Sequence, residues 1–357
     1  MNSSAAPWPA CIAALSRTRA EDARVRDRGA PGLHNRSEER AEVTTKQSAL
    51  DIPDKVRRTA LAHGQEGLAW LAGLRGLVSE LEREWGLSLG RTFPTGTEAF
   101  VAEAATAEGR QGVLKISIPG LDPLRRELRT LLAANGRSYV QVLRHDAARG
   151  VMLLERLGPQ LHQLGLRLDA QIKIICVTLQ DAWMEPPEGL PLMSGAEKAS
   201  SLAAFIETAW SELGKPCSER AIDKALSFAD ARRQAFDPED AVLAHGDAHA
   251  WNTLLVPGGG PRRFKFVDPD GLFIERAYDL GISMREWGTD LLAGDPLELG
   301  RRRCRQLAQL TGVEPEPIWQ WGFMERVSNG LLLKRKGLDQ LASESLRLAD
   351  AWTAGDP

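Results

Sequence analysis

Leucines recur at threes and fours through "DIPDKVRRTALAHGQEGLAWLAGLRGLVSELEREW": Leu61, Leu68, Leu71, Leu74, Leu77 and Leu81. That spacing predicts two short amphipathic helices. The period then changes. "TEAFVAEAAT" and "GVLKISI" are short alternating or β-branched runs flanking the turn-like "AEGRQG", which predicts a hairpin. "DPLRRELRTLLAA" returns to helical spacing, with Asp122 as N-cap and Pro123 in the first position. "YVQVLRHD" and "GVMLLERL" read as two more strands.

From Gly158 onward the pattern is mainly helical. "AEKASSLAAFIETAWSEL" and "ERAIDKALSFADARRQAF" have a 3.6-residue period, and "AYDLGISMREW", "RRRCRQLAQLTG" and "PIWQWGFMERVSNGLLLK" continue it towards the end. One β patch interrupts them, made of "AVLAH", "NTLLV", a tight "PGGGP" and "RRFKFVD". The expected class is α+β, with a small β-rich N-lobe over residues 51–157 and a larger helical C-lobe over 158–357. Residues 1–50 mix charges of both signs with little periodicity and read as a disordered extension, or as translation from a misplaced start.

At 357 residues the chain has room for two cores, and 43% apolar with 26% charged residues is ordinary globular composition. A net charge of −3 argues against a nucleic-acid binder, which would carry a basic excess, and is compatible with a cationic ligand. Cys11, Cys176, Cys217 and Cys304 are scattered without a CxxC pair, so buried free thiols in a reducing compartment are expected. No apolar run is long enough for a membrane helix, and "ACIAAL" has no basic segment before it to make a secretory signal. The expectation is a cytoplasmic protein acting on a small molecule.

The chemistry concentrates in "HGDAHAWNTLL", from His245 to Leu255, which supports two readings. His245 and His249 at i, i+4 could ligate zinc, and "GDAH" occurs in dinuclear metallophosphoesterases. Such sites need several further ligands, and His34, His63, His145 and His162 lie in no ligand-like context. Alternatively, Asp247 and Asn252 have the spacing of the Asp and Asn in the kinase catalytic loop H-R-D-x-x-x-x-N. Sixteen residues further on, Asp268 in "FVDPDG" closes an apolar strand where that plan needs a carboxylate for Mg²⁺. The plan also needs a strand lysine and a glutamate on the following helix, and Lys115 and Glu127 supply them in order. The metal reading explains none of these other parts.

With these residues the chain resembles the aminoglycoside phosphotransferases of the protein-kinase-like bilobal fold, and most of all their streptomycin 6-kinase and hydroxyurea phosphotransferase branch. "HGDAHAWN", "VDPDG" followed by "ERAYDL", "VLKI", "LLERL" and "WGFMERVSNGLLLKRKG" carry the resemblance, over roughly residues 51–355. It implies ATP- and Mg²⁺-dependent phosphorylation of a small-molecule hydroxyl, typically on streptomycin. Asp247 would be the catalytic base, Asn252 and Asp268 the metal ligands, Lys115 the phosphate-holding amine and Glu127 its ion-pair partner. Glu155 to Leu157 would lie at the hinge near the adenine. Gly96 stands alone in "FPTGTEAFVAEA", where the nucleotide-covering loop belongs, so the chain departs there from G-x-G-x-x-G.

A polycationic substrate calls for carboxylates without basic partners, and Glu275, Glu286, Asp290 and Glu325 are the candidates. Asp270 is read as a substrate-side or metal-side carboxylate, or else as a turn residue. Trp287 and Trp321 are candidates to line a cleft. His245 is expected to shape the loop through backbone hydrogen bonds, His249 to touch Asp268 or its surroundings, and Asp279 to anchor a helix start and support the loop. The competing functions are a kinase of another hydroxylated metabolite, a catalytically inactive kinase-like binding protein and the metallohydrolase.

Overall fold

The computed structural model describes residues 50–94, 96–120, 123–259 and 263–357. The N-terminal extension up to residue 49 and the Asp122 cap lie outside these residues. The chain divides into two compact units, Met1–Leu121 and Asp122–Pro357.

In the first unit, helices Asp54–Ala62 (α1) and Gly64–Trp85 (α2) precede an antiparallel sheet of Leu87–Thr92 (β1), Ala99–Thr106 (β2) and Gln111–Ser117 (β3). The second helix is not short: it runs 22 residues. Its buried stripe is Trp70, Leu74, Val78 and Leu81, whereas Leu61 and Leu68 are 49% and 45% exposed. Helical rotation accounts for Leu68. At about 100° per residue it sits roughly 200° round the helix from Trp70. Strand β1 has no counterpart in the sequence pattern, since "LSLGRT" shows no run of β-branched residues. On β3 the buried positions are Gly112, Leu114 and Ile116. Lys115 therefore stands on the opposite face, directly across from Val101 of β2.

The second unit opens with helix Pro123–Ala134 (α3) and an antiparallel pair, Val142–Asp146 (β4) and Val151–Glu155 (β5). Helix Leu168–Ala182 (α4), a two-residue strand Met193–Ser194 (β6) and helices Gly195–Glu212 (α5) and Glu219–Gln234 (α6) follow. Four short strands come next: Val242–Ala244 (β7), Thr253–Leu255 (β8), Phe264–Phe266 (β9) and Leu272–Ile274 (β10). β8 and β9 form a hairpin, while β10 lies between β6 and β7. The chain ends in helices Ala277–Arg285 (α7), Gly288–Leu291 (α8), Pro296–Thr311 (α9), Pro315–Arg335 (α10) and Asp339–Trp352 (α11).

Helix α10 is the axis of this unit. Nearly every residue from Ile318 to Leu333 is buried, as expected of a helix surrounded by others. It lies closest to α7. A Cβ added to Gly322 would stand 2.4 Å from Cβ of Met284, and one on Gly281 would stand 2.8 Å from Cβ of Trp321. Only glycines permit that crossing, and it brings the α7 segment just after Met284 against the α10 segment just after Gly322. Among the described residues, no helix is long and apolar enough to cross a membrane. Cys176, Cys217 and Cys304 are free thiols, the first and last of them buried.

Candidate active site

β7 is buried along its whole length and delivers the chain into the loop from His245 to Asn252. Asp279, in the first turn of α7, holds the loop's entrance. Its Oδ1 accepts from Gly246 N at 2.8 Å, and its Oδ2 accepts from His245 N and from Trp183 Nε1, each at 3.0 Å. Burial raises the Asp279 carboxyl, against the pull of His245 and these donors. The expected supporting role of Asp279 is thus visible in its contacts.

The two histidines settle the question left open by the sequence. Asp247 N donates to His245 Nδ1 at 3.0 Å, so that nitrogen is unprotonated, and Nε2–H donates to Val267 O at 3.0 Å. Burial lowers the pKa of this ring, consistent with its neutral state. For His249, Trp251 N donates to Nδ1 at 3.2 Å, and Nε2–H points to Asp247 Oδ2 at 3.1 Å. Both lone-pair nitrogens already accept backbone hydrogen bonds. Neither histidine has one left for a metal. The expected contact of His249 with Asp268 is replaced by this one with Asp247, two residues away and within reach across the loop.

Asp247 is only 2% exposed, and a carboxylate buried without partners would cost several kcal/mol. It has two partners. Arg285 Nη2 donates to Oδ1 at 2.7 Å, and His249 donates to Oδ2. Burial by itself would raise the carboxyl, but His249 and Arg285 outweigh it and hold Asp247 well below the ordinary range. The group is an anion at neutral pH. Each oxygen carries one donor, so about half of its roughly four acceptor positions remain for a further O–H.

Asn252 follows at the start of β8. Its Nδ2 donates to Asp247 O at 3.1 Å, and its own carbonyl accepts from Val267 N at 2.9 Å. That last bond sets Asn252 beside the residue preceding Asp268. Asp268 has φ of +55°, a left-handed conformation in which a non-glycine residue stores on the order of 1–3 kcal/mol. Strain of this kind gathers at functional sites, where surrounding structure enforces it. Asp270 N donates to His245 O at 2.8 Å, which keeps Asp270 beside the loop as well. α3, the helix bearing buried Glu127, rests on the same turn: a Cβ on Gly271 would stand 2.1 Å from Thr130 Oγ1.

Residues 85–337 match the family described as aminoglycoside/hydroxyurea antibiotic resistance kinase. The chain belongs to this family. It is 26% identical over 305 residues to a streptomycin 6-kinase of Streptomyces glaucescens, covering 85% of this chain and 97% of that protein. A hydroxyurea phosphotransferase of Kitasatospora aureofaciens is 29% identical over 272 residues, covering 72% and 77%. Among solved structures, a choline kinase of Streptococcus pneumoniae superposes with a TM-score of 0.53 at 12% identity, over 78% of this chain and 98% of that one. A thermostable aminoglycoside phosphotransferase mutant gives 0.52 at 15% identity, over 77% and 98%. The α+β, protein-kinase-like fold read from the sequence is therefore the fold of the chain, and the protein is a phosphotransferase with a hydroxyl acceptor.

Within this kinase the remaining candidates fall into distinct surroundings. Gly96 lies before β2, where a Cβ would stand 2.7 Å from Ala99 O. The Glu155 carboxylate accepts from Gln141 N at 2.8 Å and pairs with Lys265, and Leu157 is buried. A cationic substrate calls for carboxylates without basic partners, and three of the four candidates have one. Glu275 pairs with Arg232 at 3.2 Å and accepts from Trp321 Nε1 at 2.9 Å. Glu325 and Glu286 both meet Arg285, at 3.2 and 3.4 Å. Buried carboxylates need such partners, and the sequence shows only that basic residues exist, not which of them arrive. Asp290 is exposed. Trp321 is fully buried beside Tyr278, whereas Trp287 is half-buried under the Arg303 guanidinium.

Of the buried cations Lys198, Arg285, Arg303 and Arg326, two act on Asp247, and neither is among the residues expected from the sequence. Arg285 is one. Lys198 is the other, on α5, with its amine 5.2 Å from the Tyr278 ring centre. Burial lowers its pKa, against the carboxylates of Glu325, Asp270 and Asp247. A signal for Lys198 was present: it occupies the apolar stripe Gly195, Ala199, Leu202, Ile206, where a lysine is out of place. Arg285 ends a helix whose nine residues are all buried, so no stripe marks it.

Proposed function

We propose that this kinase transfers the γ-phosphoryl group of ATP to a hydroxyl of an aminoglycoside of the streptomycin type. The observation that carries the reading is the buried Asp247 carboxylate, donor-bound on both oxygens, in a loop whose Asn252 accepts from Val267 N, the residue before Asp268. Asp247 orients the acceptor hydroxyl and takes its proton late in the reaction, which demands an anion rather than a group of raised pKa. Asn252 and Asp268 fit Mg²⁺: they offer hard oxygen donors from adjoining chain segments, while the nearby histidines are committed elsewhere. Bound Mg²⁺ supplies charge neutralisation at the phosphates.

Lys115 is assigned to the α- and β-phosphates, with Glu127 as its partner, and the Glu155–Leu157 segment to the adenine edge. Gly96 is assigned to the loop over the nucleotide. Asp270 is the carboxylate retained for the substrate side, because its backbone is tied to the loop that bears the base. Glu275, Glu286 and Glu325 hold other side chains in place. The streptomycin assignment draws on the relatives' named activities together with this site.

The test is mass spectrometry of streptomycin after incubation with the protein and Mg·ATP. The expected result is one added phosphate. ADP release with other aminocyclitols or sugars, and none with streptomycin, would overturn the substrate class. No release with any hydroxyl compound would overturn the catalytic reading.

A further inference from the structure

One guanidinium in this molecule is shared by three buried carboxylates. Arg285 Nη2 meets Asp247 Oδ1 at 2.7 Å, Nη1 meets Glu325 Oε2 at 3.2 Å, and Nε meets Glu286 Oε1 at 3.4 Å. All four side chains are nearly inaccessible to solvent. Glu325 is fixed from its other side by the Tyr278 hydroxyl, which donates to Oε1 at 2.5 Å. A continuous buried chain therefore runs from Tyr278 through Glu325 and Arg285 to Asp247. We propose that Arg285 is a positioning residue for the phosphoryl-transfer reaction: braced by Glu325, it fixes the plane of the Asp247 carboxylate so that its remaining lone pairs face the acceptor hydroxyl.

The loop backbone does not need Arg285 for its shape. Asp279 holds His245 and Gly246, His245 holds Asp247 N, and Asn252 holds Asp247 O. What Arg285 adds bears on the side chain alone. His249 pins one oxygen of Asp247 and Arg285 the other, so the carboxylate has two fixed points and cannot turn about its last bond. With His249 alone it would have one. Arginine suits the position because its planar fork serves several carboxylates at once in set directions, whereas a lysine ammonium has no such plane. The glycine-mediated contact of α7 with α10 is what lets Arg285 and Glu325 meet, and neither residue need touch substrate.

The inference rests on Asp247 being the base, and the experiment separates the two claims. Arg285→Lys, Asp247→Asn and their combination are compared with wild type for kcat, for KM of ATP, and for ADP affinity by calorimetry, with streptomycin as acceptor. Arg285→Lys is expected to lower kcat about 10- to 100-fold, the range for a misplaced reacting group, with KM for ATP and ADP affinity within about twofold. In the Asp247→Asn background it is expected to cause no further loss, because it acts only through Asp247.

A folded Arg285→Lys enzyme with wild-type kcat overturns the proposal, as does a full multiplicative loss in the double variant. If Arg285→Lys does not fold, Glu325→Gln carries the test. A kcat loss of about 10-fold with unchanged ADP affinity supports the brace, and wild-type kcat overturns it. Wild-type turnover by Asp247→Asn instead overturns the assignment of the base. A wild-type enzyme that leaves streptomycin unmodified overturns the substrate reading, and the same variants are then compared on ADP release to water.

Discussion

The loop from His245 to Asn252 and the α7–α10 pair beside it bear on the same carboxylate but are built in opposite ways. The loop is local. Within it, hydrogen bonds join residues two to five apart, as His245 to Asp247, His249 to Asp247 and Asn252 to Asp247, while Asp279 and Val267 hold it from outside. The helix pair is distant. Arg285 lies 38 positions from Asp247 and 40 from Glu325, and their meeting depends on two glycines that let the helices approach. The proposed base and one proposed metal ligand therefore lie in one short string, while the alignment proposed for the base depends on tertiary packing elsewhere in the unit. Damage to the first should abolish reaction in a folded enzyme. Damage to the second should trade stability and rate together.

The sharpest breaks remove the carboxylates of the proposed site, in the loop and just beyond it. Asp268→Ala is expected to abolish Mg·ATP turnover, since it removes a carboxylate for which Asn252 alone is no substitute. Asp247→Ala should lower kcat by about 10²-fold or more, some 2.7 kcal/mol of barrier, while ADP still binds. Single-turnover assays alongside calorimetry with ADP check both. An Asp247→Ala enzyme working at the wild-type rate would remove the local side of the comparison altogether.

Asp279 joins the two regions, being a helix residue that serves the loop. In Asp279→Asn one acceptor oxygen becomes an NH₂ group facing a buried N–H of His245 or Gly246. An unmatched buried donor costs about 1–3 kcal/mol, and the loop should loosen with it. Urea unfolding is expected to show the stability loss, and kcat should fall more than KM for ATP rises. Unchanged stability would mean that the entrance to the loop is held by something other than this carboxylate.

Gly322→Ala strikes the distant side. The new Cβ would lie 2.4 Å from Cβ and 2.9 Å from Cγ of Met284, the residue before Arg285. Overpacking of this kind costs about 1–3 kcal/mol. Because the strain falls next to Arg285, kcat should drop as well, by less than in Arg285→Lys. A chemical denaturation midpoint and a steady-state assay on the same sample separate the two losses. If stability falls with no change in kcat, the helix contact supports the fold without aligning the base.

The same contrast explains what could be read without coordinates. The α+β class and the Asp247, Asn252 and Asp268 spacing are local patterns, legible in the sequence alone. The strand Leu87–Thr92 was not, because a sheet neighbour rather than its own composition makes "LSLGRT" extended. The buried stripe of α2 is Trp70, Leu74, Val78 and Leu81 rather than the whole leucine series, since leucines at threes and fours drift over more than one face of a long helix. The acidic substrate candidates illustrate the deeper difficulty. Glu275, Glu286 and Glu325 look alike in sequence as acids in a helical region, and only folding reveals that Arg232 and Arg285 are already beside them. Lys198 could have been noticed, as a lysine on an apolar stripe. Arg285 could not, because a helix buried on all sides offers no face to be wrong on.

The smallest expected effect sits at the start of α5, outside both regions, and calibrates the others. Ser194 caps this helix: its hydroxyl accepts from Glu197 N at 3.3 Å, and the Glu197 carboxylate accepts in turn from Ser194 N at 2.8 Å and from the Ser194 hydroxyl at 2.7 Å. That reciprocal pair satisfies two backbone donors at the helix start, and the serine half contributes on the order of 1 kcal/mol. The Glu197 carboxyl is held below its ordinary value by these contacts, first the bond to Ser194 N and then that to the Ser194 hydroxyl. Ser194→Ala should therefore lower the denaturation midpoint slightly and leave kcat and KM as they are. Lys198 follows one turn later in the same helix and faces the Tyr278 ring. If the cap variant did change kcat, the register of α5 would matter to the base, and the aligning framework would have to include a third helix beyond α7 and α10.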